Sequence, residues 1–486
     1  MWFYDDLRVD DWLLYHCESP GAAGADSVRP SAGIGGTMTR TLQRAAALQG
    51  ALTLPGDKSI SHRSLLLNAL ASGEARIEGF LPSADCLSTM HCLRAYGVQF
   101  DYDPDVDPTS VTVRSPGRAA FVEPEDVLDC GNSGTSIRLL SGIAAGRNFL
   151  TRLDGDASLR TRPMDRVLRP LATMGSTVDA SDGGLAPFAI RGPALLPFRG
   201  RMEVASAQVK SAIVLAALDA DGVSLIEEAG HTRDHTENML SAMGADIRRE
   251  APSGAFPTVE IHPGAELHPV DMTVPGDISS AAFWLVAGTV VPNSEIHLRG
   301  VGINPTRAGV LEVLNAMGAR IDVEEERSVG GEPVADLVVR SADLHGTTID
   351  GDLVVRGVDE LPALAVAAAA AQGRTELRDA QELRVKETDR VAATVANLRA
   401  LGVDIEERPD GFVIEGGREL RSPRRTVGKA DTGHRDVGPF ALVIAAAPRA
   451  RTGVYDHDGL HGGRRASLPL RARGHRAPSP PRRCWG

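Results

Sequence analysis

Apolar and polar positions along the chain fall into a pattern that returns five times: Leu, two variable residues, a bulky residue, Gly, then a residue suited to a strand. The copies read "LRAYGVQF" (Gly97), "LATMGSTV" (Gly175), "LSAMGADI" (Gly244), "LNAMGARI" (Gly318) and "LRALGVDI" (Gly402), 69 to 84 residues apart. Each predicts the end of an amphipathic helix, a glycine just past it in a left-handed conformation, and then a strand. Between these ends a second pattern recurs six times, a small-residue turn running into an apolar helix. It reads "PGDKSISHRSLLL" from Pro55, "DCGNSGTSIRLLSGI" from Asp129 and "VASAQVKSAIVLAAL" from Val204. It continues with "VPGDISSAAFWLVA" from Val274, "GVDELPALAVAAA" from Gly357 and "TGHRDVGPFALVIAA" from Thr432. Ser, Thr, Asp, Asn or Gly stands near each start, as helix initiation requires.

Repeats of this size that mix strands with helices predict an α/β protein of six similar units. The near-identity of "LPGDKS" and "VPGDIS" predicts three units per domain, with the chain passing between domains near Pro55 and again near Pro275. The expected division is an extension over 1–40, a first domain of 41–56 plus 276–447, a second domain of 57–275, and a basic tail over 448–486. Six helix N-termini aimed into one interdomain cleft would favour a polyanion, each by about 0.3–1 kcal/mol. The sixth unit is incomplete. Its strand entry is due near residue 477, where the chain reads "RARGHRAPSPPRRCWG", an Arg-rich composition without apolar period that reads as disordered.

Composition narrows the function classes. With 64 acidic against 52 basic side chains the net charge is −12, which argues against general nucleic-acid or anionic-membrane binding. The longest strongly apolar run, "LPALAVAAAAA" from Leu361, falls well short of the ~20 residues a membrane span needs. The N-terminus "MWFYDDLRVDD" lacks the basic start and apolar stretch of a secretory signal, and Met38 is an alternative beginning. The 5 cysteines are odd in number and scattered without metal-ligand spacing, which fits a reducing cytoplasm.

Only four of the 52 basic residues are lysines: Lys58, Lys210, Lys386 and Lys429. A chain that otherwise chooses Arg keeps Lys where a compact, titratable ammonium is needed, to meet an oxyanion as a point charge or to handle a proton. Lys58 sits in "KSISHR" with Ser59 and Arg63; Lys210 sits in "SAQVK" with Ser206 and Gln208; Lys386 sits in "RVKETDR" with Glu387 and Arg390. The copy "PGDISSAAF" keeps the turn but has Ile278 in place of Lys58, so the charge is not a requirement of the scaffold. "GNSGTSIR" (131–138) offers glycines for close backbone approach, while "SLRTRP" and "HTRDHTE" add Arg160, Arg162 and Arg233. "VDELPALAV" places Asp359 and Glu360 ahead of an apolar helix, and "GHR" supplies His434 and Arg435.

Taken in order over roughly residues 42–447, "LPGDKSISHR", "GNSGTSIR", "SAQVKS", "RDHTE", "NPTR" and "RVKETDR" resemble the 5-enolpyruvylshikimate-3-phosphate (EPSP) synthase family, in its class II-like subgroup. The resemblance implies a two-domain inside-out α/β barrel, the enolpyruvyl transferase fold, with six βαβαββ-type repeats. It implies transfer of the enolpyruvyl group of phosphoenolpyruvate to the 5-hydroxyl of shikimate 3-phosphate with release of phosphate, and no metal or organic cofactor. Carried over residue by residue, Lys58, Asp359 and Glu387 are the proton-transfer candidates. Lys58, Gly134, Arg162, Gln208, Arg390 and Arg435 would hold phosphoenolpyruvate. Lys58, Ser59, Arg63, Ser206, Ala207, Gln208, Arg233, Asp359 and Lys386 would hold shikimate 3-phosphate. A cytoplasmic monomer acting on small molecules is expected, with neither nucleic acid nor membrane as partner.

The chain departs from the family in its sixth unit. The family's "DHRIAM" is replaced by "GHRDVGPFALVIAA", and no "SFPxF" segment appears. Two rival readings follow: a binding protein that has lost catalysis with its C-terminus, and a UDP-N-acetylglucosamine enolpyruvyl transferase. The second is disfavoured because its mobile-loop cysteine has no counterpart around Asn148–Arg169.

Overall fold

A computed structural model describes residues 46–250, 256–385 and 388–418, together with the backbone of 38–42 and 453–457. Its helices are α1 (Lys58–Leu70), α2 (Ala84–Ala95), α3 (Gly134–Ala145), α4 (Asp165–Thr173), α5 (Ala207–Ala217) and α6 (His235–Ala242). They continue with α7 (Ile278–Val290), α8 (Gly309–Ala316), α9 (Asp352–Arg356), α10 (Leu361–Ala370) and α11 (Arg390–Ala400).

The starts of the helices are set by short-range chemistry. A side-chain oxygen at the cap accepts an N–H that the first turn leaves over: Asp57 from Ile60 at 2.9 Å for α1, Ser133 from Ser136 at 3.1 Å for α3, and Ser206 from Val209 at 3.4 Å for α5. Asp277 takes two, from Ser279 and Ser280, for α7. The ends obey the recurring glycine. Gly97, Gly175, Gly244, Gly318 and Gly402 have φ between 81° and 100°, where an L side chain would be strained, and each turns a helix into a strand.

Five four-stranded sheets share one topology. In the sheet whose strands flank α3 in the chain, Leu128–Asp129 runs parallel to Thr151–Asp154, which is antiparallel to Leu185–Arg191, which in turn is antiparallel to Thr177–Ser181. The same order recurs with Arg199–Arg201, Ser224–Glu227, Thr258–His262 and Asp246–Glu250, and again with Thr348–Ile349, Gly373–Leu377, Gly411–Gly416 and Asp404–Arg408. In the two remaining sheets the short parallel strand comes from far away in sequence. Met272–Thr273 completes the sheet of Ser72–Glu78, and Gln49–Thr53 completes the sheet of Glu295–Gly302. Met38–Leu42 pairs antiparallel with Gly453–His457. The rest of the sixth unit expected from the sequence lies outside the described residues.

Apolar side chains gather into two separate cores, one spanning Ile60 to Val274, the other formed by Leu48, Leu52 and Leu54 with Ile278 to Ile414. The two passages between them lie side by side. Asp57 N–H donates to the Pro275 carbonyl at 2.8 Å and Asp277 N–H to the Pro55 carbonyl at 2.9 Å, a near-symmetric pair around the Gly56–Gly276 bridge. A β-carbon on Gly56 would stand 2.0 Å from the Gly79 carbonyl oxygen, so only glycine fits that crossing.

Helix α1 is buried from Ile60 to Leu70, polar residues included. Its His62 is fully buried, with Nδ1 sharing a hydrogen bond with Thr89 Oγ1 at 2.8 Å, and Thr89 continues to Ser136 Oγ at 2.6 Å, tying α1, α2 and α3 together. Burial, reinforced by Lys58, pushes the His62 imidazolium down to about 3 from 6.5. The unfolded chain therefore binds a proton at His62 that the folded chain refuses. Its contribution to stability is intact above about pH 6.5 and is lost as pH falls towards 3. Urea unfolding measured from pH 7 to pH 4 should show this loss, and His62→Gln, which does not titrate there, should flatten the slope; an unchanged slope would remove His62 as the cause.

Candidate active site

The helix starts deliver the sequence candidates to two clusters. The first is cationic. Gly134 opens α3 with its Cα beside two guanidiniums: a β-carbon there would lie 2.6 Å from Arg138 Nη1 and 3.3 Å from Arg162 Nη1. Arg138 Nη1 donates to Gln208 Oε1 at 2.8 Å, and Gln208 Nε2 donates to Thr135 Oγ1 at 3.0 Å, joining the starts of α3 and α5. Arg162 Nη2 reaches Asn132 Oδ1. Among the described residues no carboxylate pairs with Arg138. Burial, and then Arg166 and Arg162, lower it to about 10. Guanidiniums that crowd one another without a counter-ion form a place for an anion.

The second cluster surrounds Asp359, in the turn ahead of α10. Arg233, from the side of the 60–274 core, donates to Oδ2 at 2.7 Å. Arg390, the first residue of α11, donates to Oδ1 at 3.3 Å, and Arg307 Nη1 stands 3.6 Å from Oδ2. Burial alone would raise this carboxyl, but Arg233, Arg307 and Arg390 outweigh burial and hold it well below the usual carboxylate range. Lys58 is half exposed at the start of α1 and ion-paired with Asp85 on α2. Ser59 follows it, half-buried, and Ser206 and Ala207 are half-buried at the start of α5.

Two motifs singled out in the sequence meet across the cores. Asn304 of "NPTR" donates to Asp234 Oδ1 at 2.7 Å and to Glu332 Oε2 at 3.0 Å, while His235 Nδ1 lies 2.9 Å from the same Glu332 oxygen. The "RDHTE" segment is thereby fixed, and Arg233 with it.

Lys210 and Arg63 are both buried. Lys210 does not face either cluster: it is buried, with Nζ 2.9 Å from Glu228 and 2.7 Å from Glu237. Arg63 is 3 % exposed, donating through Nε to Thr236 at 2.8 Å, through Nη2 to Ser211 at 3.0 Å and through Nη1 to the Ser59 carbonyl at 3.0 Å. In this arrangement it braces α1 against α5 and α6. Lys386, Glu387 and Arg435 lie outside the described residues. Asp85, Arg138 and Arg307 were not singled out as site residues; Arg138 and Arg307 close the motifs "GNSGTSIR" and "NPTR", and that position was the one available signal.

Residues 42–457 match the family model of EPSP synthase (3-phosphoshikimate 1-carboxyvinyltransferase). The 3-phosphoshikimate 1-carboxyvinyltransferase of Herpetosiphon aurantiacus is 50% identical over 387 residues, covering 79% of this chain and 88% of that protein. That of Desulforudis audaxviator is 50% identical over 411 residues, covering 84% and 92%. Among solved structures, an EPSP synthase from Acinetobacter baumannii superposes with a TM-score of 0.76 at 38% identity, covering 86% of this chain and 93% of that one. The enolpyruvyl transferase NikO from Streptomyces tendae shares the fold, with a TM-score of 0.62 at 19% identity over 87% and 93%.

Proposed function

The chain belongs to the EPSP synthase family, and from that premise we propose which of its residues carry the family's reaction. The fold is the enolpyruvyl transferase fold, and the activity is 3-phosphoshikimate 1-carboxyvinyl transfer. The 5-hydroxyl oxygen of shikimate 3-phosphate bonds to C2 of phosphoenolpyruvate while C3 gains a proton; the adduct then loses phosphate from C2 and a proton from C3.

Two anionic substrates need two cationic surfaces and groups that pass protons in both directions. Gly134, Arg138, Arg162 and Gln208 would hold the phosphate and carboxylate of phosphoenolpyruvate, with Arg390 and Arg435 closing on it. Lys58, Ser59, Ser206, Ala207, Arg233 and Lys386 would hold shikimate 3-phosphate, with Arg63 stiffening the helix starts behind them. Asp359 would take the hydroxyl proton as the oxygen bonds to C2, and Lys58 and Glu387 would deliver a proton to C3 and take one back as phosphate leaves.

The observation that carries this assignment is the bridging of Asp359 by Arg233 from one core and Arg390 from the other. As long as both guanidiniums face Asp359, its carboxylate is a poor base. Once they turn to substrate oxyanions, that field is removed and the carboxylate gains basicity where the hydroxyl sits. Docking of both substrates would thus prepare the base. The reading also takes the two cores as two domains, 57–275 and 41–56 with 276–447, that close on the substrates. It takes the protein as a cytoplasmic monomer; among the described residues no helix is long and apolar enough to cross a membrane.

Phosphate release from phosphoenolpyruvate, measured with shikimate 3-phosphate and separately with UDP-N-acetylglucosamine, tests the reading. Turnover with the first acceptor alone is expected. Turnover with the second, or with neither, overturns it.

A further inference from the structure

One guanidinium lies against the helix caps at both passages between the cores. Arg307 is 6 % exposed, at the end of "NPTR". Its Nη1 donates to Glu360 Oε1 at 3.0 Å and lies 3.6 Å from Asp359 Oδ2. Its Nη2 donates to Ser279 Oγ at 2.6 Å and to Asp277 Oδ1 at 3.4 Å, while Nε stands 3.9 Å from Asp57 Oδ2. Asp57 and Asp277 are the caps of α1 and α7 and the two residues whose N–H groups cross-link the passages between cores. Glu360 is buried and is the residue next to Asp359.

We propose that Arg307 is a positioning residue that fixes the Asp359 carboxylate relative to the two interdomain passages, so that the geometry of the crossing sets the geometry of proton transfer. The inference rests on the assignment of Asp359 as the proton carrier for the hydroxyl.

The physical case has three parts. A lysine would place one charge near one of these partners, whereas the planar fork spans four acidic groups and a hydroxyl at once. The acidic groups need it. Burial and the facing Asp57 carboxylate outweigh Arg307 and leave Asp277 raised to about 6, so without that cation it would rise further. Burial alone would lower the Arg307 pKa, but Glu360, Asp57, Asp277 and Asp359 outweigh burial and hold it above its ordinary value, so it stays charged throughout the working range. Finally, the other partners of Arg307 among the described residues, Asp57, Asp277, Ser279 and Glu360, are helix caps and buried or half-buried groups at the passages between the cores. Arg233 and Arg390 are both assigned to substrates, so Arg307 is what keeps Asp359 oriented after they turn away.

The test compares Arg307→Lys, Arg307→Met and the double variant Arg307→Met/Glu360→Gln, the last so that the buried Glu360 carboxylate is not left without its cation. Each is assayed for phosphate release with shikimate 3-phosphate across pH, beside thermal unfolding. The charged groups facing Asp359 among the described residues are Arg233, Arg307, Arg390 and Glu360, with Asp57 and Asp277 on the far side of Arg307. Loss of the Arg307 cation leaves the carboxylate less favoured, so the acid limb of kcat should move to higher pH by about one unit in Arg307→Met and in the double variant. Arg307→Lys should largely restore the limb but not the rate, with kcat reduced about 10²-fold by misplacement and both KM values within about threefold. If the unfolding temperature falls while the limb and the kcat of the folded fraction stay put, Arg307 is only a structural ion pair and the proposal fails. If the unmodified protein does not turn over shikimate 3-phosphate, the functional reading fails first and the assignment goes with it.

Discussion

Asp359→Asn should lower kcat by about 10²–10⁴-fold, the range over which a positioned acid or base contributes. The substitution keeps the shape of the side chain and one acceptor oxygen, so the contacts that set substrate affinity change little and KM should move by less than about tenfold. What disappears is the charge that three guanidiniums face. Arg233, Arg307 and Arg390 are then left opposite an amide whose N–H₂ cannot accept from them, and a lower unfolding temperature should accompany the loss of rate. Steady-state phosphate release with each substrate varied in turn, read beside a thermal melt, separates the two effects. A kcat within about fivefold of the unmodified enzyme would mean that the hydroxyl proton leaves by another route.

Lys210→Met should cost about 3–5 kcal/mol of stability, as breaking a buried ion pair from one side does. Lys210 lies 1 % exposed between Glu228 and Glu237, themselves 5 % and 1 % exposed, and Glu228 Oε2 also accepts from Thr232 Oγ1 at 2.5 Å. Burial alone would lower the ammonium's pKa; Glu237 and Glu228 outweigh burial and raise it. Without the lysine, two buried carboxylates lose the ammonium that lies between them, and either they take up protons or the lobe opens. The urea midpoint should fall accordingly. Folded Lys210→Met at low temperature should retain kcat, since the side chain reaches neither cluster of the site. A small stability change joined to a large fall in kcat would return Lys210 to the chemistry.

The retention of lysine at position 210 was read from the sequence as a sign of chemistry, and the structure gives it a different cause. Nζ meets two carboxylates from α6 and from the loop after Ser224–Glu227, a space shaped for a compact ammonium. That partnership depends on residues 18 and 27 positions away, which spacing alone cannot pair. The same holds for Arg307, whose hydrogen-bond partners lie 28 to 53 residues upstream or downstream, and whose neighbour Asp57 comes from the other side of the core boundary. Local order was legible because its causes are local: the left-handed glycines at Gly97, Gly175, Gly244, Gly318 and Gly402, the Asp and Ser caps, and the doubled turn at Pro55 and Pro275. Asp359, Arg233 and Arg390 could be named from motifs, but their convergence could not, because three arginines from separate elements meet one carboxylate only after the sheets have formed.

The distance along the chain between a short strand and the sheet it completes, in each of the two cores, also orders the making of the protein. Everything that the 60–274 core requires has been synthesised once Val274 is added, and after Met272–Thr273 has cleared the ribosome the last sheet can close on Ser72–Glu78. Gln49–Thr53, synthesised earlier, must wait for Glu295–Gly302: Leu48 finds its hydrogen-bond partner Ser294 only 246 residues later. The nascent chain thus matures from the middle outward, and Gln49–Thr53, though made early, is seated late.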